Sequence, residues 1–359
     1  MKKIIALTLA AGLLLAGFVC RATTVVHGDD SRITYIGRTL HKDGATVFNW
    51  SGVTLIVSFE GTSLTIDAED SSADSFNLWI DSQMSPVADK VLSLNGHVTV
   101  ADKLKKGPHT VILQKRTEGE QGTTKIKTLT TDGKLVQARP LKERRIEFIG
   151  DSYTCGYGTE SHDRSDPFRP ETENCNQAYG FIAGRYFDAD VQLVSHSGRG
   201  IIRNYDDFNP ELTMTNMYSW ALDGCGEFLW KRDGFKPDIV VIYLGTNDFS
   251  CGKQPDIQSW CGNYRILLEK ARALHPGVPV LCVASKSNPL MGQYVREAVE
   301  KSGISGVHWT AIQEMAHNST TELGASWHPN YEGQRKVACC VIPYISTITG
   351  WGMPLKPIE

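Results

Sequence analysis

The sequence predicts an α/β protein in two consecutive parts, an antiparallel β-sandwich and then a doubly wound α/β/α domain built on a parallel sheet. Three observations carry this. From about Val25 to Arg139 apolar residues alternate with polar ones, the period of strands that bury one face. After Arg139-Pro140 the alternation gives way to apolar runs at 238–244 and 278–284, as expected of strands covered on both faces. Between those runs lie stretches with helical spacing, such as Tyr264, Leu267, Leu268, Ala271 and Leu274. Strand and helix alternating on this scale define a parallel α/β domain.

The elements follow in order. Lys2 and Lys3 precede an apolar run from Ile4 to Val19, the charged head and apolar middle of an export signal over residues 1–22, with cleavage after Ala22. The run is shorter than the roughly 20 apolar residues that span a bilayer comfortably, so no stable membrane span is expected. The expected location is secreted or periplasmic. A lipid anchor at Cys20 is the alternative, although the bulky Phe18 and Val19 stand where such a signal carries small residues.

Residues 23–141 form the predicted sandwich. Val53, Leu55, Val57 and Phe59 alternate, a turn follows at Glu60-Gly61-Thr62-Ser63, and Leu64 and Ile66 resume the pattern. Phe76, Leu78 and Ile80 repeat it, as do Val111 and Leu113, and Asp132-Gly133 reads as a last hairpin turn. The second domain, 142–359, opens with the strand Ile146-Glu147-Phe148-Ile149. A weaker strand follows at 191–195.

Composition narrows the function classes. With 359 residues, 41% hydrophobic and 21% charged, the chain can bury a full core. A formal net charge of −3 supplies no electrostatic basis for nucleic acid as a partner. Of nine cysteines, Cys20 lies in the leader and the rest begin at Cys155. In an oxidising compartment Cys155 with Cys175, and Cys251 with Cys261, would close two short loops. No C-x2-C pair and no clustered histidines are present, so no metal site is expected.

Ligands of open α/β sheets bind beyond the carboxyl ends of the strands. Three polar groups stand there: Gly150-Asp151-Ser152, Ser197-Gly198-Arg199-Gly200 and Gly245-Thr246-Asn247-Asp248. A fourth group, Trp327-His328-Pro329, lies near the C-terminus. These four blocks, in this order across roughly 145–348, resemble the SGNH (GDSL-type) hydrolases. With the sandwich in front, the mature chain is similar to the two-domain acetyl esterases of carbohydrate esterase family two. That resemblance implies a jelly-roll sandwich, no cofactor, and acetylated polysaccharides such as xylan and glucomannan as substrates.

Residue chemistry agrees. A serine hydroxyl needs a base, and His328 is the one histidine within a block, so Ser152 is the expected nucleophile and His328 its base. A tetrahedral intermediate needs preorganised donors, for which the N–H of Ser152, the N–H of Gly200 and the amide of Asn247 are candidates, with Gly198 competing with Gly200. Asp151 and Asp248 are expected to brace their turns. Trp327 is expected either to join the core or to stack on a sugar ring.

One departure matters. The family places an aspartate three residues before the histidine, and some two-domain relatives two before it; here those residues are Ala325 and Ser326. The expectation is therefore a Ser152–His328 dyad, with the second ring nitrogen held by a backbone carbonyl or by Ser326. Glu322 and Glu332 are alternative third members. Two other functions compete: a lipase or thioesterase using the same blocks, and a carbohydrate-binding protein without catalysis.

Overall fold

The computed structural model describes residues 23–231, 234–313 and 320–359; the expected export signal, Cys20 included, lies outside them. Two six-stranded antiparallel sheets form the N-terminal part. The first runs Leu40–Lys42, Ala45–Phe48, Thr124–Thr131, Leu64–Asp70 and Gly96–Ala101, with Thr24–His27 also paired to Thr124–Thr131. The second runs Lys134–Val136, Thr54–Gly61, Gly107–Lys115, Phe76–Ile80 and Lys90–Leu92, with Thr34–Ile36 also on Thr54–Gly61. Between the sheets Leu55, Val57, Phe59, Val111 and Leu113 meet Leu64, Ile66, Ala68, Ile126 and Leu129, the alternating residues of both sheets.

Two expectations need correcting. The Asp132-Gly133 turn joins Thr124–Thr131 of the first sheet to Lys134–Val136 of the second, so it is a corner between sheets and not a hairpin. The turn at 61–63 makes the same crossing, and Asp132 cross-links the two. Its carboxylate accepts the N–H groups of Thr62 and Ser63 at 2.6 and 3.1 Å. Gly133 is obligatory there, since a Cβ would lie 1.8 Å from the Glu60 carbonyl oxygen. The second correction concerns the outer face. Thr54–Gly61 is buried on both faces over its first half, because Ile36, Ile56, Trp79 and Ile112 form a separate cluster with Ala138 and Phe235.

The second part is a five-stranded parallel sheet in the order Asp190–Ser195, Arg145–Gly150, Ile239–Tyr243, Val280–Ser285 and Val307–Ile312. Its strands are apolar on both faces for a visible reason. Ile149, Val194, Val240, Ile242 and Cys282 join the helices Ile257–Leu274 and Pro289–Ser302 on one face. Ile146, Phe148, Val241, Tyr243 and Val283 join Tyr179–Phe187 and Tyr331–Thr349 on the other. The helical spacing read from Tyr264, Leu267, Leu268 and Ala271 is the buried stripe of Ile257–Leu274. No helix among the described residues is long and apolar enough to cross a membrane.

The disulfide expectation also fails. All eight cysteines among the described residues are free thiols. Cys155 Sγ is directed at Glu118 Oε2 at 3.5 Å, and Cys175 Sγ at the Lys115 carbonyl at 3.3 Å. Cys251 is exposed, whereas Cys261 is buried in its helix and directed at the Tyr294 carbonyl at 3.7 Å.

Candidate active site

The strand Arg145–Gly150 stops at a glycine because a Cβ on Gly150 would lie 1.9 Å from Thr154 Oγ1. The chain then turns through one helical turn, Ser152–Cys155. The Asp151 carboxylate accepts the Tyr153 N–H at 3.2 Å, and Gly156, at φ +78°, closes the turn. This presents Ser152 at the carboxyl edge of the sheet, 7% exposed.

His328 arrives from the other end of the chain. The pair Leu323–Gly324 and His328–Pro329 is a minimal antiparallel ladder. Asn330 secures it by donating to the carbonyls of Thr321 and Leu323 at 3.1 and 3.4 Å and by capping helix Tyr331–Thr349 at Gly333 N–H. Ser152 Oγ lies 2.9 Å from His328 Nε2. The other ring nitrogen, Nδ1, lies 3.0 Å from the Ser326 carbonyl oxygen. Since a carbonyl only accepts, Nδ1 carries the hydrogen, and the Nε2 lone pair accepts a hydrogen bond from the serine hydroxyl.

That carbonyl is aimed by an unusual backbone. Ser326 and Trp327 both adopt left-handed conformations, at φ +52° and +63°, a state that costs non-glycine residues free energy unless the surroundings impose it. Here they do: Ser326 N–H donates to the Asp166 carbonyl at 2.9 Å and Trp327 N–H to the Arg164 carbonyl at 3.1 Å. The candidate carboxylates serve elsewhere, Glu322 with Lys336 at 3.2 Å and Glu332 with Arg335 at 2.9 Å. Sequence reasoning left the ring's support open because a left-handed pair without glycine has no signature in composition.

Aromatic rings surround the histidine. Tyr157 lies 4.3 Å from the His328 ring centroid and stacks on Phe168 at 4.0 Å, and Tyr153 meets the imidazole edge-on at 5.7 Å. Burial therefore pulls the His328 pKa down to about 4, against the opposing effect of the Ser326 and Ala325 backbone. A neutral ring is the form able to accept a proton. Trp327 is 53% exposed, with the Arg164 guanidinium 4.4 Å above its ring, which places it outside the core.

The other expected donors are less uniform. Asn247 Nδ2 donates to the Arg199 carbonyl at 3.0 Å and to Asp151 Oδ2 at 3.2 Å, which holds the amide between the nucleophile turn and the 197–200 loop. Burial, reinforced by Asp248, raises the Asp151 pKa to about 7 against the Tyr153 N–H. Gly200 N–H already donates to Asn204 Oδ1 at 3.1 Å, and a Cβ there would lie 2.1 Å from the Arg203 carbonyl oxygen. Gly200 is a glycine for packing. Gly198, at φ +77° and with only Tyr205 Cβ within 4 Å of a would-be Cβ, has an N–H without a partner among the described residues. Asp248 accepts from Ile201, Ile202 and Arg203 N–H groups at 2.9, 2.9 and 3.2 Å, which moulds the same loop.

A serine in hydrogen-bond contact with a histidine, at the carboxyl edge of a doubly wound parallel sheet, is the arrangement of a serine hydrolase. The chain belongs to the GDSL-like lipase/acylhydrolase family, whose model matches residues 148–336, while residues 35–140 match the carbohydrate esterase 2 N-terminal domain. The chain is 30% identical to the cellulase/esterase CelE of Acetivibrio thermocellus over 90% of its own length, but spans only 40% of that protein. It is 28% identical to an acetylxylan esterase/glucomannan deacetylase of Cellvibrio japonicus, covering 84% of this chain and 86% of that one. The structure of a family two carbohydrate esterase from Clostridium thermocellum in complex with cellohexaose superposes with a TM-score of 0.81 at 28% identity, over 89% of this chain and 100% of that one.

Proposed function

We propose that this protein is an exported esterase that removes O-acetyl groups from plant polysaccharides of the xylan or glucomannan type. Residues 1–22 would serve as its signal, 23–141 as its sandwich domain and 142–359 as its catalytic domain. The observation that carries the reading is the 2.9 Å contact between Ser152 Oγ and His328 Nε2, with Nδ1 committed to a carbonyl. Ser152 Oγ attacks the acetyl carbonyl while His328 takes its proton. The imidazolium so formed is supported by the Ser326 carbonyl and by the π-face of Tyr157, and it then protonates the departing sugar oxygen. A water activated by the same ring releases acetate from the acyl-enzyme and restores Ser152.

The oxyanion would be met by the N–H of Ser152, the amide of Asn247 and a loop N–H. Gly198 replaces Gly200 in this role, because the Gly200 N–H is spent on Asn204. Asn247 would share one of its amide hydrogens, held in the free protein by Arg199 and Asp151. Trp327 offers an exposed aromatic face beside the catalytic ring for a sugar to stack on. The match to an acetylxylan esterase/glucomannan deacetylase along most of both chains supports the substrate class.

The test is acetate release from acetylated xylan and acetylated glucomannan, compared with hydrolysis of aryl esters of increasing chain length. Acetyl esters should be cleaved fastest and long-chain esters poorly. A preference for long acyl chains would favour the lipase reading and defeat this one.

A further inference from the structure

The loop that carries Gly198 is held from outside its own domain. Ser197 N–H donates to Glu118 Oε2 at 2.6 Å. Glu118 belongs to the sandwich, just beyond strand Gly107–Lys115 and ahead of the turn Gly119–Gln121, and is 1% exposed. The same oxygen receives Cys155 Sγ, on the nucleophile turn, at 3.5 Å. One carboxyl thus touches both the turn that presents Ser152 and the loop that would meet the oxyanion.

The surroundings pin that carboxyl in place. Glu118 N–H donates to Glu173 Oε1 at 3.2 Å, and the Glu118 carbonyl accepts Lys115 Nζ at 2.9 Å, while Lys115 is paired with Asp74 at 2.5 Å. Burial, with Glu118 adding to it, raises the Glu173 carboxyl well above the usual range. Glu118, Cys155 and Glu173 bring ligand-type atoms within 4.8 Å of one another. Two of the three are already engaged, Glu118 by the Ser197 N–H and Glu173 by the Glu118 N–H. A second strut stands beside the first: His196 Nδ1 lies 2.7 Å from Asp223. Asp223 is clamped to the sandwich by Asn49, through bonds of 2.7 and 3.0 Å.

We propose that Glu118 is a positioning residue for the reaction, the sandwich domain setting the oxyanion loop through the Glu118–Ser197 bond. This rests on the esterase reading above. Fixing the Ser197 N–H fixes the peptide that precedes the one carrying Gly198 N–H. A displacement of about 1 Å in a donor of this kind is worth up to about a hundredfold in rate.

The test compares Glu118→Ala, Glu118→Asp and Glu118→Gln with wild type and Ser152→Ala, reading kcat and KM on an aryl acetate together with the thermal melting point. Glutamine keeps an acceptor at the same reach, whereas aspartate keeps the carboxyl but falls one methylene short. The expected result is a kcat loss of about tenfold to a hundredfold for alanine and aspartate, with KM little changed, and recovery to within about threefold of wild type in the glutamine variant. If alanine prevents folding, the aspartate–glutamine pair decides. Wild-type kcat in a folded aspartate variant, or a glutamine variant as slow as alanine, overturns the proposal. Activity surviving in Ser152→Ala would instead sink the esterase reading, and this inference with it.

Discussion

His328 turns Nε2 to Ser152 while its other nitrogen is held by the Ser326 carbonyl, with no carboxylate at 325 or 326. The Ser326 oxygen orients the ring but carries no full charge, so it does little to draw a proton onto the imidazole. Enclosure by Tyr153 and Tyr157 weighs the other way and dominates, leaving the ring neutral until about pH 4. The base acts only when deprotonated, so activity is lost as pH falls through that value. In a pH profile of kcat/KM on an aryl acetate, we expect a plateau through neutral pH and a decline of about tenfold per unit below about pH 4. An acid limb near the ordinary histidine value of about 6.5 would contradict this, showing that enclosure does not dominate the protonation of the ring. The absence of that carboxylate was legible from Ala325 and Ser326 themselves. Its substitute was not, because the aim of a carbonyl is set by two dihedral angles and not by a side chain.

Two short segments hold geometry that the rest of the fold depends on. The left-handed pair Ser326-Trp327 is held by Asp166 and Arg164 in the loop between the nucleophile turn and helix Tyr179–Phe187. Ser326→Gly keeps the carbonyl and tolerates the positive φ, whereas Ser326→Pro forces φ to about −65° and removes the N–H bonded to Asp166. We expect the glycine variant to keep kcat within about threefold and the proline variant to lose at least about a hundredfold, measured on an aryl acetate. Proline activity equal to wild type would show that the carbonyl does not orient the ring. The corner at Asp132 is the second segment. Its carboxylate serves two N–H groups, and Asp132→Ala should cost about 1–3 kcal/mol in denaturant unfolding while kcat stays unchanged. Asp132-Gly133 had the composition of a hairpin turn, and local composition cannot say whether the next strand pairs with its neighbour or crosses to the facing sheet.

Across the whole molecule the two parts share buried polar ties as well as apolar contact. Arg38 of the sandwich reaches into the catalytic part, donating to the carbonyls of Tyr218 and Trp220 and lying 3.6 Å from Glu147, with the rings of Tyr218 and Trp230 stacked at 4.8 and 4.6 Å. Burial alone would raise the Glu147 pKa, but His275, Arg38 and Tyr218 hold it down at about 2. A depressed carboxyl contributes stability above its unfolded value, and that contribution fades as pH drops toward 2. Arg38→Ala should therefore destabilise by about 3–5 kcal/mol at neutral pH, since it strands a buried charge, and the loss in urea unfolding should shrink as the pH is lowered. A neutral-pH loss below about 1 kcal/mol would show the tie to be incidental. The two-part fold and the four polar blocks were legible because each is local: a rhythm of apolar residues, or a few residues after a strand. Arg38 and Glu118 were not, since each acts on partners far along the chain and nothing near them marks the contact. The proposed reaction stands on Ser152 as the nucleophile. Treating the protein with a fluorophosphonate and mapping the adduct by peptide mass spectrometry tests this most directly. Labelling of the peptide that contains Ser152, abolished in Ser152→Ala and in His328→Ala, is the expected result; an unlabelled wild type, or a label on any other residue, would contradict it.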